Sequence, residues 1–478
     1  MTHAVAPVDL LVVAQRAILP DGARAAAIAV SGGRITGILD PTGPLPAAAE
    51  RIDLAADEVL MPALVDSHVH ANEPGRTHWE GLRTLTAAAA AGGIGTVVDM
   101  PLNCIPATVD VASWDAKRAS CPVPSIDVAG WAGAVGGRLD DLPALLEAGT
   151  RGAKAFMIDS GVAEFPALTT DEGLAEAMEI LKAHELPLLV HAEDADVAAR
   201  TPVHTGTHRY GDLLASRPPL VESMAIGRLA ELAERTGAHV HVVHVSSAEG
   251  VAAVEIAQRR GIHLTAETCP HYLALCAEDL PDDDPAVKCF PPIRERHHQH
   301  ALWAGLANGV LSMVVTDHSP APWTLKDTGD LATAWGGIAS IQLSLPVVWS
   351  AARQREVSLT ELVAWMAERP ADLAGLPQKG RIAVGADADL IAFAPDATFT
   401  VRGDELLHRH PQTPYEGRLL HGVVRTTWLR GRAVDPSAPH GRWLLPDAGA
   451  PAAASTTQGT ASTTTGPGAA SAALEDTR

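Results

Sequence analysis

Short apolar runs alternate with amphipathic stretches over residues 61–375, and this alternation restricts the fold more than any other feature of the 478-residue chain. The pattern is typical of repeated βα units, in which parallel strands lie side by side and helices cover them. With the opening run Val59–Val65 there are eight strand candidates, the number that closes a barrel of parallel strands. The other seven are Thr96–Met100, Ser125–Ala129, Ala153–Met157, Leu188–His191, His241–Val245, Ile262–Thr265 and Ser312–Asp317. The sequence therefore predicts an α/β protein with a (β/α)8 TIM-like barrel, whose active site lies at the carboxyl ends of the strands.

Both ends of the chain are rich in short β-like runs separated by turns that contain glycine. Leu10–Val13 is an example near the amino terminus, and Val423–Thr427 is one near the carboxyl terminus. Because these regions enclose the barrel segment, we expect residues 1–60 and 376–447 to form one small β-sandwich domain. Residues 448–478 consist almost wholly of Ala, Ser, Thr, Gly and Pro. Such a composition buries too little apolar surface to offset the entropy of ordering, so we expect a disordered tail.

Charge and cysteine usage narrow the classes of function. The chain has 36 Lys and Arg residues against 57 Asp and Glu residues, which gives a formal net charge of −21. This excess of negative charge argues against nucleic acid or an anionic membrane as a partner, and it favours a small-molecule substrate. The five cysteines form no C-x-x-C pair, and no stretch resembles a secretory signal or a membrane span of ~20 residues. We therefore expect a soluble, cytoplasmic protein.

Histidines and one aspartate stand at the carboxyl ends of several predicted strands. His68 and His70 alternate in the opening strand, so their side chains point to the same face. His191, His244 and Asp317 occupy the same position on three further strands. A single histidine at a strand end is more often a hydrogen-bonded core or surface residue than a ligand. The joint placement of these residues nevertheless favours a divalent metal site, because neutral imidazoles and carboxylates are common metal ligands.

His241 and His244 lie on the same predicted strand. Their positions differ by an odd number, so both cannot face the barrel interior in a regular strand. His244 lies nearer the carboxyl end. We therefore interpret His244 as the ligand and His241 as a structural residue.

Lys154 lies within an apolar predicted strand, between Ala153 and Ala155. Burial of an ammonium group is costly, so the pKa of such a lysine should fall and the neutral amine should become accessible. A neutral amine can react with carbon dioxide to give a carbamate, whose two oxygens could bridge two metals. The alternative is an edge-strand lysine with its ammonium group in water.

Several motifs together resemble those of the cyclic amidohydrolases of the amidohydrolase superfamily, and the resemblance extends to about residue 440. The longest is Asp66–Gly81, which reads DSHVHANEPGRTHWEG. The others are Lys154–Met157, His191–Glu193, His244–Ser247, Glu267–Tyr272, Lys288–Arg294, Thr316–Pro320 and Thr413–Gly417.

This resemblance implies a two-metal site. Its ligands would be His68, His70, Lys154, His191, His244 and Asp317. The first two histidines and Asp317 would hold the more buried ion, the other two histidines the more exposed ion, and Lys154, as N6-carboxylysine, would bridge both. Zinc is the expected metal, with cobalt or manganese as substitutes. Water activated by both ions would attack a cyclic amide, with Asp317 as general base. The family also implies a homotetramer.

Asn72 bears on the choice of substrate. In the related dihydroorotases this position holds an arginine that pairs with the substrate carboxylate. Its replacement here favours an uncharged ring, and the run Asn72–Glu80 favours (S)-allantoin, which would be hydrolysed to allantoate. Hydantoin or dihydropyrimidine rings are the alternative substrates. A scaffold without catalytic activity is a third reading, which the complete set of ligands disfavours.

Three further residues are candidates for substrate binding: Asn103, Phe290 and His318. Turn capping is an equal alternative for Asn103. Phe290 departs from the family pattern, because relatives more often have a small residue there. Asp159 departs as well, since hydantoinases have a tyrosine at that position. Both departures concern ring size and enantiomer preference, and they leave the metal assignment unchanged.

Overall fold

The structure is a computed structural model that describes residues 6–445. The tail expected over residues 448–478 lies outside the described residues. Among those that are described, no helix is long and apolar enough to cross a membrane.

Parallel strands form the middle of the molecule and overlap all eight runs that the sequence predicts, although Val59–Pro62 of the opening run belongs to another sheet. They are Leu64–Val69, Ile94–Asp99, Asp127–Gly130, Ala132–Gly133, Ala153–Phe156, Leu188–His191, Val240–Val242, Leu264–Thr268 and Met313–Val314. The third strand position is divided in two at Trp131. Neighbouring strands pair in parallel, and a parallel bridge between Val69 and His318 joins the first strand to the segment after the last. This arrangement is a TIM-like barrel.

Helices follow the strands and cover the barrel. The α-helices of the described chain are Leu82–Ala91, Val111–Ser120, Leu142–Glu147, Asp171–Ala183, Ala195–Ala198, Tyr210–Ala215, Pro219–Thr236, Ala248–Arg259, Pro270–Ala274, Arg296–Ala307, Trp323–Lys326, Ser344–Arg353, Leu359–Val363 and Arg369–Leu373. The 3-10 helices are Leu139–Asp141, Ala277–Asp279, Pro285–Val287, Ile341–Leu343 and Gly403–Glu405, and a π-helical stretch spans Ala364–Glu368. Helix Asp171–Ala183 shows why these segments are helical. Thr170 caps its first turn, and Leu174, Met178 and Leu181 repeat at helical spacing on its buried face.

Both ends of the chain meet in one eight-stranded sheet beside the barrel. Its strands are Val8–Leu19, Gly22–Ser31, Arg34–Leu39, Ala48–Asp53, Val59–Pro62, Leu390–Thr400, Leu419–Leu429 and Arg432–Ala433. Strand Val59–Pro62 joins the two halves, because it pairs with Val8–Leu19 on one side and with Leu390–Thr400 on the other. The barrel therefore carries an additional domain. The sandwich geometry and the boundaries at residues 60 and 376 stay predictions.

A buried ion cluster connects this sheet to the barrel. The Lys379 ammonium lies 2.6 Å from Asp127, 2.9 Å from Asp387 and 2.7 Å from Asp389. Arg430 adds a second cation at 2.5 Å from Asp127. Asp127 begins a barrel strand, whereas Asp387 and Asp389 precede a strand of the sheet. Burial would lower the pKa of Lys379, but the three carboxylates outweigh it and raise that pKa above its ordinary value.

Lys379→Met is expected to lower the free energy of unfolding by about 3 kcal/mol, because the buried carboxylates lose their shared cation. Urea denaturation followed by circular dichroism measures the change. Arg24→Met is the control, since Arg24 and its partner Asp21 are exposed, and an exposed pair contributes less than about 1 kcal/mol. Equal stability of the two variants would show that the cluster does not hold the sheet on the barrel.

Candidate metal centre

One cavity of about 300 Å³ opens at the carboxyl ends of the barrel strands. All six residues predicted as ligands line it, together with Asn103, Asp159 and Phe290. The ligand candidates are His68, His70, Lys154, His191, His244 and Asp317. They come from five strand positions far apart in sequence, and the parallel barrel brings them together because its carboxyl ends all open on the same face.

His68, His70 and Asp317 form one group of possible metal ligands in this cavity. The Asp317 carboxylate lies 3.3 Å from His68 Nε2 and 3.2 Å from His70 Nε2. Ligand atoms bound at about 2.0 Å to one tetrahedral zinc ion lie about 3.3 Å apart, so these separations suit a shared cation. Burial would raise the pKa of Asp317, but the adjacent His68 and His70 outweigh it and hold that pKa well below its ordinary value.

His191 and His244 form a second pair. Nδ1 of His191 lies 3.0 Å from Nε2 of His244, and the ring of Phe156 stacks on His191 at 4.6 Å between centroids. Burial, followed by the influence of His191, lowers the pKa of His244 well below its usual value. A neutral imidazole presents a free lone pair, so this pair can also hold a cation.

Lys154 lies in the wall of the cavity with its side chain buried. Its Nζ has no hydrogen-bond partner among the described residues, and it lies 5.1 Å from the centroid of the Phe156 ring. Burial lowers the pKa of Lys154 to about 8, although Glu267 and Asp317 act in the opposite direction. A buried amine without a partner is costly in an unmodified protein. This position would be satisfied by a modified lysine that contacts bound cations.

Two buried carboxylates set the tautomers of the histidines. Glu267 Oε1 lies 2.5 Å from His68 Nδ1, and Glu193 Oε2 lies 2.7 Å from His191 Nε2. A carboxylate accepts a hydrogen bond from the protonated ring nitrogen beside it. The lone pair of the other ring nitrogen is then directed at the cavity. Sequence reasoning quoted both glutamates in motifs but assigned them no role. For Glu193 the signal was its position two residues after the candidate ligand His191.

Two residues of the centre have a left-handed backbone conformation. The φ angle is 42° at His244 and 45° at Asp317, values that are uncommon outside glycine and concentrate at functional sites. The regular strand ends at Val242. The argument that the side chains of His241 and His244 cannot both face the barrel interior is therefore wrong, because it assumed a regular strand that continues to His244.

Asn103 and Phe290 lie where the sequence-based prediction puts them, at the cavity wall. Phe290 is flanked by two cations, with the Arg217 guanidinium 4.9 Å and the Lys288 ammonium 5.3 Å from its ring centroid. Arg217 also lines the cavity, and its Nε lies 3.4 Å from Glu193. Sequence reasoning missed Arg217, because it lies in a segment without a motif.

Asn72 and His318 do not reach the cavity. The Asn72 side chain is buried and donates a hydrogen bond to the carbonyl of Pro320 at 3.2 Å. His318 is fully buried, and its Nδ1 accepts a hydrogen bond from the amide of Ser340 at 3.0 Å, while Nε2 lies 3.5 Å from Glu80. Both residues contact neighbouring loops behind the cavity wall. The prediction that they contact substrate is corrected accordingly, since neither residue lines the cavity.

Two buried lysines hold the loop of residues 332–337, which forms part of the cavity wall. Lys288 Nζ donates to the carbonyls of Ala332 and Ala334 at 3.1 and 2.5 Å. Lys326 Nζ donates to the carbonyls of Trp335 and Gly337 at 3.1 and 2.7 Å. Trp335 and Gly337 line the cavity. The shape of this wall therefore depends on two ammonium groups, those of Lys288 and Lys326, that do not themselves line the cavity.

Lys326→Met is expected to loosen this wall. A hydrogen bond to a charged group contributes roughly 1.5–3 kcal/mol, so hydrogen exchange at the amides of Trp335 and Gly337 should accelerate by about tenfold or more. Exchange is followed by mass spectrometry of peptides covering residues 325–340. Lys182→Met is the control, because Lys182 is exposed and contacts only the distant Thr236 carbonyl. Unchanged protection in Lys326→Met would contradict this role.

Comparison with known proteins adds independent findings. The model of the Amidohydrolase family matches residues 59–434. A protein named allantoinase from Streptomyces avermitilis is 49% identical over 442 residues, covering 91% of this chain and 98% of that protein. An allantoinase from Arabidopsis thaliana is 38% identical over 445 residues, covering 89% and 88%. Among solved structures, the L-hydantoinase (dihydropyrimidinase) from Arthrobacter aurescens superposes with a TM-score of 0.85 and 28% identity, covering 92% of this chain and 97% of that one.

Proposed function

The chain belongs to the amidohydrolase family, and we propose that it hydrolyses the cyclic amide bond of (S)-allantoin to give allantoate. One observation carries this proposal: six side chains suited to binding metals converge at one cavity in a chain that is 49% identical to a protein named allantoinase. The cavity, at about 300 Å³, lies at the small end of the usual range for ligand sites, which suits a compact ring.

We further propose that the cavity holds two divalent cations. Zinc is the expected ion, and cobalt or manganese could replace it. His68, His70 and Asp317 would hold one ion, His191 and His244 the other, and Lys154 would bridge them as N6-carboxylysine. The unpartnered Nζ of Lys154 and the ligand separations of 3.0 to 3.3 Å support this assignment. Bound at this place, the cations would lower the pKa of a water molecule and polarise the amide carbonyl.

Asp317 is the proposed general base. Its depressed pKa keeps the carboxyl group ionised near neutral pH, so it can accept the proton released when water attacks the ring carbonyl carbon. The C–N bond of the ring then breaks, and the same carboxyl group returns the proton to the departing nitrogen. Asp317 lies at the cavity surface with a side-chain exposure of 13%, against 1% for His68, so it is accessible to a substrate in the cavity.

The charge distribution of the cavity favours an uncharged ring. Arg217 lies close to the buried Glu193, so its charge is already balanced within the protein. Lys288 donates to backbone carbonyls at the edge of the cavity. A substrate carboxylate would therefore compete with groups already paired. Asn103 and Phe290 are the proposed contacts for the ring, through an amide and an aromatic face.

Hydantoinase or dihydropyrimidinase activity is the second candidate, and the superposition on an L-hydantoinase with a TM-score of 0.85 favours it. Both activities would use the same centre. They differ in the ring and its substituent, which contact the walls and not the ligands. The run Asn72–Glu80 and the 49% identity to a protein named allantoinase are the basis for preferring allantoin.

A parallel assay of three substrates tests the proposal. Zinc-loaded protein is incubated with racemic allantoin, hydantoin and dihydrouracil, and the remaining allantoin is analysed by chiral chromatography. We expect allantoin to be consumed fastest and the (S) enantiomer to disappear first. Turnover of dihydrouracil without turnover of allantoin would refute the proposal in favour of the second candidate.

Assembly, location and domain geometry complete the proposal. We propose a homotetramer, which analytical ultracentrifugation measures, with family resemblance as its support.

A cytoplasmic location is supported by the five free cysteines, because a reducing compartment keeps thiols unpaired. The domain built from both termini is proposed to be a β-sandwich. Apolar clusters on two faces of its sheet support that geometry, one around Val12 and Ile28 and the other around Leu11 and Ala27.

A further inference from the structure

An unbroken series of side-chain hydrogen bonds runs from His68 through the interior of the barrel. His68 Nδ1 lies 2.5 Å from Glu267 Oε1, and Glu267 Oε2 lies 2.9 Å from His241 Nε2. His241 Nδ1 lies 2.8 Å from the hydroxyl of Thr265, and the same hydroxyl lies 2.8 Å from Nε2 of His239. Five side chains are thus connected by four contacts of hydrogen-bond length. We call this series the histidine chain.

The histidine chain spans the barrel from one face to the other. His68 lies at the cavity, at the carboxyl ends of the strands. His239 immediately precedes strand Val240–Val242, so it lies at the amino-terminal face. Its ring stacks at 4.0 Å on that of His263, which is exposed. The His239 end of the histidine chain therefore lies next to solvent, on the side of the barrel opposite the cavity.

Counting of protons fixes the direction of every hydrogen bond. An ionised carboxylate only accepts hydrogen bonds, so Glu267 accepts one hydrogen bond from His68 Nδ1 and another from His241 Nε2. A neutral His241 with its proton on Nε2 must accept at Nδ1, and the Thr265 hydroxyl supplies that proton. A hydroxyl has a single proton to donate, so Thr265 must accept from His239 Nε2. When His241 carries a single proton, on Nε2, one arrangement satisfies all four contacts.

The electrostatics agree with this arrangement. Burial, reinforced by His263, lowers the pKa of His239 to about 3. His239 is therefore neutral, as this arrangement of hydrogen bonds requires.

We propose that Glu267, His241, Thr265 and His239 are positioning residues that hold His68 in the tautomer with a free Nε2 lone pair, and that the affinity of the centre for metal is thereby set from the amino-terminal face of the barrel. The inference rests on the metal-binding role proposed for His68. Without the hydroxyl proton of Thr265, His241 has no donor at Nδ1. The ring is then free to exchange tautomers, and Glu267 loses one of the two donors that keep it oriented.

Zinc alone is the probe for the first test, and activity is not needed. The metal-free protein competes for zinc with a chromophoric chelator, and Thr265→Val is compared with Thr265→Ser. Valine suits a strand position and removes the hydroxyl, whereas serine keeps it. We expect Thr265→Val to weaken zinc binding by about tenfold, the lower limit found when partners outside the ligand set are removed, and Thr265→Ser to bind within about twofold of the unaltered protein. Glu267→Gln should weaken binding by about 100-fold.

Nuclear magnetic resonance of the zinc-loaded, unaltered protein gives a second test that no variant can disturb by misfolding. With 15N-labelled histidine, the ring nitrogens show which one carries the proton, and we expect His241 and His239 each to be protonated at Nε2. Protonation of His241 at Nδ1 would overturn the proposal, as would equal zinc affinities for Thr265→Val and Thr265→Ser. Failure of the unaltered protein to bind zinc would instead refute the proposed metal centre, so the two failures are distinguishable.

Discussion

Lys154→Ala is expected to abolish activity and to reduce the zinc bound per chain. The substitution removes the proposed bridge between the two cations, which lines the same cavity as the other five candidate ligands. Metal catalysis contributes several kcal/mol to such a reaction, which corresponds to a loss of about 10³-fold or more in kcat/KM. Elemental analysis and the allantoin assay measure the two effects together.

Two controls make this result specific to the carbamate. Lys182→Ala removes an exposed lysine and should leave both measurements unchanged. Incubation with 13C-labelled carbon dioxide should give a carbamate resonance in the unaltered protein that is absent from Lys154→Ala. Acetate, which can occupy the vacated space and supply two oxygens, should restore part of the activity. Full activity and full metal content in Lys154→Ala would refute the bridge.

Asp317→Asn is expected to lower kcat by about 10²- to 10⁴-fold, the range associated with a positioned general base. The amide has nearly the shape of the carboxyl group, and its oxygen can still lie beside His68 and His70. It cannot accept a proton at neutral pH. The loss should therefore fall mainly on kcat, with a smaller change in metal content, and steady-state kinetics with elemental analysis separates the two.

Asp196→Asn provides the same chemical change at an exposed helical position outside the cavity. It should leave kcat, KM and metal content unchanged. If Asp317→Asn retained most of its kcat, the proton would have to be transferred by another group, and Asp317 would be a ligand without a role as base.

The barrel and the convergence of the six candidate ligands on one cavity could be predicted because they depend on local patterns that the fold repeats. Each predicted strand is a short apolar run, and in a parallel barrel a polar residue at the end of such a run has one destination. His191 is the last residue of its strand, Lys154 lies within its strand and Asp317 follows its strand by three residues, and all three line the cavity. Strand direction alone decides that these residues reach the carboxyl-terminal face of the barrel, so no knowledge of tertiary packing was needed to place them.

Side chains beyond the strand ends could not be placed by the same reasoning. Asn72 and His318 belong to loops whose path depends on packing against other loops, and both point away from the cavity. The role of Glu267 depends on its distance to His68, which lies 199 positions away in sequence. His241 was set apart from His244 by strand parity, but the strand ends at Val242. Such relations are three-dimensional, and a single sequence does not record them.

The sheet shared by both termini imposes an order on biosynthesis. Strand Val59–Pro62 requires Leu390–Thr400 as a neighbour, and about 330 residues separate them, which a ribosome takes roughly 15 to 65 s to add. During that interval the amino-terminal strands present an open edge, which is a template for pairing with other chains. The barrel must therefore form beside an incomplete sheet. A chain that terminates before residue 390 would not be a smaller working enzyme but an aggregation-prone product that the cell must capture or degrade.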